Sequence, residues 1–223
     1  MTSTFDTSTS LASRLKSSKE HLATLAPSEL LGVLGAEQAR LVATDVATGR
    51  IAVGDVLAHA ALPDAGGQQV DVLGSGASVV VFYRGAWCPF CNVALSAYQR
   101  EVLPELERLG VSFVAISPQG PDGTASIAEV NDLSFPVLTD EGGEYARSLG
   151  LTFDLADDVS EVHRRLGNDF TSINAGSEWS LPRPTVIVTD ADRVVRFVDV
   201  RPDYTERTEP SAVLAAVRAV VAG

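Results

Sequence analysis

The chain has 223 residues, of which 45% are hydrophobic, and this is enough for one large domain with a sizeable core. It carries 17 Lys and Arg residues against 29 Asp and Glu residues, so its formal net charge is -12 at pH 7. Nucleic acids and anionic membranes repel an acidic surface, and no apolar run approaches the length of a membrane span, so the sequence argues against both kinds of partner. The N-terminus lacks the basic and apolar regions of a secretory signal, and we therefore expect a cytoplasmic protein.

The first part of the chain predicts a helical extension, which we assign to residues 1–50. Apolar residues recur at helical spacing from Leu11 to about Val46, with a break at Pro27, where Ser28 would cap a second helix. Amphipathic helices of this kind pack on a core or on a partner subunit, so the extension is compatible with a homodimer.

Residues 51–223 predict one α/β domain with a central mixed sheet flanked by helices. A small β-hairpin is expected at 51–72, ahead of the main sheet. A segment of mixed polarity at about 151–182, with one helix near 158–166, predicts a long excursion, and such excursions are commonly functional or interfacial. Buried strands are expected at 79–82, 111–116, 135–138, 186–188 and 194–198, with helices between them and a last helix at 210–221.

The two cysteines of the chain, Cys88 and Cys91, come shortly after the strand at 79–82. Pro89 suits the first position of a helix, because the amide hydrogen that it lacks has no intrahelical partner there, and this places Cys88 at the N-cap. Free amides and the helix dipole stabilise a thiolate in that position, so we expect a lowered pKa for Cys88. Cys91 lies one turn further on the same face, and the pair is typical of an attacking thiol and a resolving thiol.

Other uses of the cysteine pair remain open at this point: a structural disulfide, half of a zinc site, or two inert core residues. The histidines, His21, His59 and His163, lack the spacing of zinc ligands, so we expect no metal and assign no cofactor. We interpret the same histidines as surface or packing residues.

Two arginines are candidates for stabilising charge at the thiols. Arg84 stands four residues before Cys88, where charge-assisted hydrogen bonds would hold a thiolate or a peroxide oxygen. Arg183 precedes Pro184 and Thr185 at the start of a buried strand, and a proline there suggests a local feature such as a cis peptide bond.

The same residues carry a resemblance to the thioredoxin fold. Trp87, Cys88, Pro89, Phe90 and Cys91 follow an apolar strand, and Pro184 and Thr185 precede another, as in proteins with a redox CxxC motif and a facing cis-proline. More narrowly, the chain resembles the peroxiredoxin-like branch of the alkyl hydroperoxide reductase and thiol-specific antioxidant family. The matching runs are 82–85, 87–92, 115–119, 135–140, 179–182 and 203–204.

This resemblance implies a thiol peroxidase that reduces hydrogen peroxide or alkyl hydroperoxides. Cys88 would become a sulfenic acid, Cys91 would resolve it to a disulfide, and thioredoxin or a similar dithiol would regenerate the thiols. Arg84 or Arg183 would stabilise the thiolate and the leaving oxygen, and Thr185 would donate a hydrogen bond. Trp87 and Pro184 would border the substrate.

The chain departs from the family pattern at the peroxide-activating loop. Typical members carry a proline and a threonine where this sequence has Val81 and Gly85. The alternatives are therefore a thiol-disulfide oxidoreductase with little peroxidase activity, and a redox-sensing interaction protein whose helical extension and excursion bind a partner. Recruitment of the site to a specialised biosynthetic step is a further alternative.

Overall fold

The structure is a computed structural model that describes residues 9–46, 49–176 and 179–223. In chain order its elements are α1 (Leu11–Leu25), α2 (Ser28–Ala43), β1 (Ala61–Pro63), β2 (Gln69–Asp71), β3 (Ser78–Phe82), α3 (Pro89–Glu101), α4 (Leu103–Leu109), β4 (Ser112–Ser117), α5 (Pro121–Val130), β5 (Val137–Thr139), α6 (Glu144–Ser148), β6 (Thr152–Asp154), α7 (Asp157–Arg165), α8 (Phe170–Ile173), β7 (Ser180–Pro182), β8 (Thr185–Thr189), β9 (Val195–Val200) and α9 (Pro210–Ala222).

The main sheet has five strands in the order β5-β4-β3-β8-β9. Strand β3 runs parallel to β4, and β4 runs parallel to β5, whereas β8 is antiparallel to both β3 and β9. This confirms the predicted mixed sheet with flanking helices. The expected hairpin ahead of the sheet is also present, as the antiparallel pair β1 and β2.

The main sheet divides the interior into two cores, one on each face. Strand β3 contributes to both, because successive side chains of a strand point to opposite faces of the sheet. Val79 and Val81 pack into the larger one, which also holds both cysteines, and we call it the thiol-side core. Val80 and Phe82 pack into the second core on the other face. All five residues of β3 are buried, as a continuous apolar run predicts.

Helix α3 begins at Pro89 with Cys88 at the N-cap, as predicted. It ends at Glu101, although the helical pattern of the sequence continues, and α4 begins two residues later. Pro104 explains the break, because it lacks an amide hydrogen and its ring clashes with the carbonyl four residues earlier.

Helices α1 and α2, which are joined by the short link at Ala26 and Pro27 and which we call the helical hairpin, pack against the thiol-side core. Leu11, Leu15 and Leu41 are buried in that core, and Arg14 forms an ion pair of 2.7 Å with Glu101 of α3. The break between the two helices lies where the sequence predicts it, but Pro27 is the N-cap and Ser28 is the first helical residue.

The predicted excursion contains β6, α7, α8 and β7, and β6 pairs antiparallel with β7. It packs inward, since Phe153, Val159, Phe170 and Leu181 are buried in the thiol-side core. The helix expected near 158–166 is α7, and residues 177–178 of the excursion lie outside the described residues.

No described peptide bond is cis, so the prediction of a cis bond before Pro184 is wrong. Pro184 precedes the first residue of β8, where its missing amide removes no hydrogen bond from the strand ladder. Its carbonyl accepts the amide hydrogen of Arg201 at 2.9 Å.

Among the described residues, no helix is both long and apolar enough to cross a membrane.

Candidate active site

The turn between β3 and α3 depends on Gly85. Its φ angle is +149°, and a Cβ atom there would lie 2.3 Å from Nε1 of Trp87 and 2.9 Å from Oε1 of Gln119. The same Gln119 oxygen accepts the amide hydrogen of Ala86. Only glycine fits this position, which gives a geometric reason for the absence of the family's threonine.

Cys88 does not carry the thiolate that its N-cap position predicts. Its sulfur accepts no capping hydrogen bond among the described residues. Burial raises the pKa of Cys88, and the hydrogen bond between its thiol and Cys91 raises that pKa further, against the charges of Arg84 and Arg207. The prediction of a lowered pKa for Cys88 is therefore wrong.

The negative charge is held by Cys91 instead. Its sulfur lies 2.9 Å from Nη2 of Arg207 and accepts the backbone amide hydrogen of Arg84 at 3.4 Å. Burial opposes ionisation, but the hydrogen bond from Cys88, the charge of Arg207 and these donors outweigh it and hold the pKa of Cys91 well below its ordinary value. The reduced pair thus carries one negative charge at Cys91 and one proton at Cys88.

Arg207 is the functional candidate that the sequence reasoning missed. It is only 7% exposed, and Nη1 donates to the carbonyl oxygens of Tyr204 and Glu206 at 2.7 and 2.6 Å. Its Nη2 atom is 4.0 Å from the sulfur of Cys88 as well. It lies 116 residues from Cys91 in a loop without periodicity, and its only sequence signal is its position just after the family-like run at 203–204.

Arg84 is 3% exposed and lies near enough to Cys88 for its charge to oppose the rise in the pKa of that thiol, but among the described residues its guanidinium donates no hydrogen bond to either sulfur. Its guanidinium carbon stands 4.8 Å from the ring centroid of Trp87 and 4.2 Å from that of Tyr204. These are cation-π distances, and they fix the side chain between two aromatic rings.

Arg183 and Thr185 are not brought to the cysteines. Arg183 donates to the carbonyl of Thr152 at 2.6 Å and pairs with Asp45 at 3.3 Å, so it fastens the end of the helical hairpin to β6. The hydroxyl of Thr185 donates to the carbonyl of Arg183 at 2.9 Å.

The register of the sheet accounts for the position of Thr185. It lies directly opposite Phe82, whose side chain packs into the second core, so the two side chains share the face that points away from the cysteines. Arg183 and Thr185 therefore do not fit the roles expected of them, and Pro184 is not among the described residues that line the cavity at Cys88.

That cavity, which we call the thiol cavity, has a volume of about 490 Å³. The helical hairpin forms one wall, and Trp87, Arg84 and Tyr204 form part of another. Cys88 belongs to the lining and Cys91 does not, although Cys88 itself is only 1% exposed. A small molecule in the cavity therefore meets Cys88 first.

His163 of α7 also lines the thiol cavity, as a packing residue. Its ring lies 5.2 Å from that of Trp87 and 4.9 Å from that of Phe170. Burial, with a contribution from the charge of Arg84, lowers the pKa of His163 to about 3. The imidazole is therefore neutral at physiological pH and a weak proton acceptor.

The described residues contain no cluster of three or more His, Cys, Asp or Glu side chains that would hold a metal ion.

Comparisons with known proteins agree with this architecture. Residues 53–198, more than half of the chain, match the model of the AhpC/TSA family. The crystal structure of peroxidoxin BcpB from Mycobacterium tuberculosis superposes with a TM-score of 0.59 at 25% sequence identity, covering 77% of this chain and 99% of that one.

Two curated relatives match shorter segments. Peroxiredoxin Bcp of Escherichia coli is 33% identical over 100 residues, which are 44% of this chain and 64% of the relative. The thiol-disulfide oxidoreductase ResA of Bacillus thuringiensis is 30% identical over 77 residues, which are 34% of this chain and 44% of the relative. The chain thus spans less than two thirds of the length of either. On the strength of the family match and the shared thioredoxin-like architecture, the chain belongs to the AhpC/TSA family.

Proposed function

We propose that the protein is a thiol-dependent peroxidase in which Cys88 attacks the peroxide and Cys91 resolves the product. The observation that carries the proposal is the arrangement of the two sulfurs: Cys88 lines the thiol cavity, and Cys91 lies behind it with its charge stabilised by Arg207. Membership of the AhpC/TSA family and the match to peroxiredoxin Bcp support this reaction.

The first step follows from the shared proton. The thiol of Cys88 transfers its proton to the sulfur of Cys91, and the resulting Cys88 thiolate attacks the terminal oxygen of ROOH. The S–O bond forms as the O–O bond breaks, leaving Cys88 sulfenic acid, and the departing RO⁻ takes a proton from the Cys91 thiol. Two electrons pass from the Cys88 sulfur to the peroxide.

The second step closes the disulfide. The regenerated Cys91 thiolate attacks the Cys88 sulfenic sulfur, the S–S bond forms, and the S–O bond breaks. The departing hydroxide takes one proton from solvent and leaves as water. Arg207 holds the thiolate at Cys91 before each step, and Arg84, in the cavity wall, neutralises charge that develops on the departing oxygen.

Burial of Cys88 affects how the disulfide is reduced. A dithiol reductant such as thioredoxin must bring its sulfur into line with the disulfide, and the helical hairpin forms a wall of the cavity in front of Cys88. We therefore propose that a protein reductant requires displacement of the hairpin, whereas a small dithiol enters through the cavity.

A second candidate is a thiol-disulfide oxidoreductase that uses the same cysteines. The match to ResA and the glycine at position 85 favour it, while the burial of Cys88 opposes rapid reaction with protein disulfides.

Stopped-flow kinetics of the reduced protein separate the two candidates. Oxidation would be followed by the fluorescence of Trp87 with hydrogen peroxide, cumene hydroperoxide and a small aromatic disulfide as oxidants. We expect a peroxide rate constant at least about a hundredfold above that of the Cys91→Ser, Arg207→Met double variant, because each 1.4 kcal/mol of lost stabilisation costs about tenfold. Faster reaction with the disulfide than with both peroxides would favour the oxidoreductase.

A further inference from the structure

The charge of the thiol cavity differs from that of the protein as a whole. The chain has a net charge of -12, yet the described lining contains Lys19 and Arg84 and no Asp or Glu. His163 contributes no charge, because its imidazole is neutral. The cavity is thus a basic site inside an acidic protein.

Arg84 lacks an anionic partner in the described part of the chain. It is 3% exposed, it takes part in no ion pair, and its guanidinium donates no hydrogen bond there, with Nε fully buried. Nearby carboxylates are already engaged: Glu37 binds Arg40, and Asp203 accepts hydrogen bonds from Gln38 and Thr205. The rings of Trp87 and Tyr204 compensate this buried cation only in part, so a bound anion would be stabilised there.

The charge balance at the sulfurs leaves one positive charge over. Arg207 is matched by the thiolate of Cys91, at 2.9 Å, whereas Arg84 has no such counterpart. One monovalent anion would therefore balance the buried charges beside the sulfurs, while Lys19 is an exposed cation of the same lining.

Most of the rest of the lining is apolar, with uncharged polar side chains at Gln38, Asn168 and Thr205. The helical hairpin contributes Leu22, Ala26, Leu31 and Leu34, and the far wall adds Phe90 and Leu166. A volume of about 490 Å³ lies within the range of small-molecule sites. These features suit an apolar body attached to a single anionic group.

We propose that the thiol cavity binds an aliphatic monocarboxylate, with its carboxylate on Arg84 and its chain along the helical hairpin. Such a ligand occupies the space in front of Cys88 and competes with other molecules for that sulfur. The inference rests on the proposed function only in that ligand and peroxide would share the cavity, and equilibrium binding tests it without turnover.

The test uses calorimetric titration of the reduced, full-length protein with three eight-carbon probes: octanoate, 1-octanol and octylammonium. Because a charge-assisted hydrogen bond to Arg84 would hold the carboxylate, we expect octanoate to bind about tenfold or more tightly than octanol, and octylammonium to bind most weakly. Equal affinities for octanoate and octanol would overturn the proposal, whatever the variants show.

Variants then locate the anionic group. Arg84→Met should bring the two affinities within about twofold, while Arg84→Lys, which keeps the charge, should retain the preference for octanoate. Arg108→Met removes an exposed arginine of α4 and serves as the matched control, with no change expected. If Lys19→Met abolished the preference and Arg84→Met did not, the carboxylate would lie at the rim and the proposal would be wrong.

Protection of the thiol provides the second readout. Octanoate should slow the alkylation of Cys88 by iodoacetamide, and binding without protection would place the ligand elsewhere and contradict the inference. A protein that binds octanoate at Arg84 but consumes no peroxide would contradict the proposed peroxidase and leave this inference standing.

Discussion

At the scale of single residues, Arg207 decides where the charge of the dithiol resides. It reaches both sulfurs from a loop far along the chain, and it lies 2.9 Å from Cys91 but 4.0 Å from Cys88. The N-cap position of Cys88 alone predicts the opposite distribution, since the helix dipole favours charge at the first cysteine. Direct hydrogen bonds from a buried guanidinium therefore outweigh the helix terminus here.

Replacing Arg207 tests this distribution. Arg207→Met should raise the pKa of Cys91 and therefore decrease the ultraviolet absorbance of the thiolate in the reduced protein at pH 7. Because the variant loses a hydrogen bond to a charged group, we also expect it to consume peroxide about 10- to 100-fold more slowly. Arg207→Lys should recover part of the absorbance. Arg218→Met, which removes an exposed arginine bound to Glu105, serves as the control, and a fall in absorbance there equal to that of Arg207→Met would refute the assignment.

His163 predicts a pH dependence of stability. Its pKa in the folded protein is about 3, below the ordinary value of 6.5, so the unfolded chain binds a proton at pH values where the folded protein does not. The contribution of the neutral His163 to the free energy of unfolding is fully present above pH 6.5. It is lost as the pH falls towards 3, by at most about 1.4 kcal/mol per pH unit.

Urea unfolding at pH 7.5 and pH 5 measures this effect. The variant His163→Phe keeps an aromatic ring between Trp87 and Phe170, and we expect its free energy of unfolding to fall less between the two pH values than that of the parent protein. Identical falls in both proteins would show that His163 does not bind the proton.

At the scale of elements, the loop at 203–209 connects the helical hairpin to the thiols. The hydroxyl of Tyr204 donates to the carbonyl of Leu34 at 3.0 Å, and Gln38 donates to Asp203 at 2.6 Å. On the other side, Tyr98 of α3 donates to the carbonyl of Thr208 at 2.7 Å. The loop is therefore held from both sides, which explains how Arg207 keeps its position beside Cys91.

Glu209 fastens the first helix to this loop. Its carboxylate accepts the backbone amide hydrogens of Leu11 and Ala12 at 3.0 and 2.7 Å, so a residue from the far end of the chain caps α1. We expect Glu209→Ala to lower the free energy of unfolding by about 1 kcal/mol, as for other lost caps, and to speed hydrogen exchange at both amides. Glu206→Ala, an exposed residue of the same loop, is the control, and equal effects of the two substitutions would contradict the capping role.

Sequence patterns predicted the helices and strands better than the long-range contacts between them. The buried strand β3, the start of α3 at Pro89 and the hairpin of β8 and β9 follow from local periodicity and turn chemistry, and the structure confirms them. The environment of the thiols depends on contacts over long sequence separations, such as Arg207 with Cys91. The register between β3 and β8 places Thr185 on the face of the sheet opposite to the cysteines, which excludes its expected role. No local pattern encodes the register between distant strands.

At the scale of the whole molecule, the helical hairpin, the excursion, the start of α3 and the loop at 203–209 together line the thiol cavity in front of Cys88. Leu11 and Leu15 of the hairpin, with Phe170 and Leu181 of the excursion, are buried in the same core as the cysteines. The extension is thus part of the site that the α/β domain builds. The domain boundary near residue 50, a homodimer and a cytoplasmic location remain predictions.

The central claim is that Cys88 attacks and Cys91 resolves, and mass spectrometry of three reduced proteins tests it directly. After one equivalent of cumene hydroperoxide, the parent protein should lose two hydrogens as the disulfide forms, and Cys91→Ser should form a Cys88 sulfenic acid that dimedone traps. Cys88→Ser should stay unmodified over the same time. A Cys88→Ser variant that consumed peroxide at the parent rate, with dimedone attached to Cys91, would show that the roles of the two cysteines are reversed.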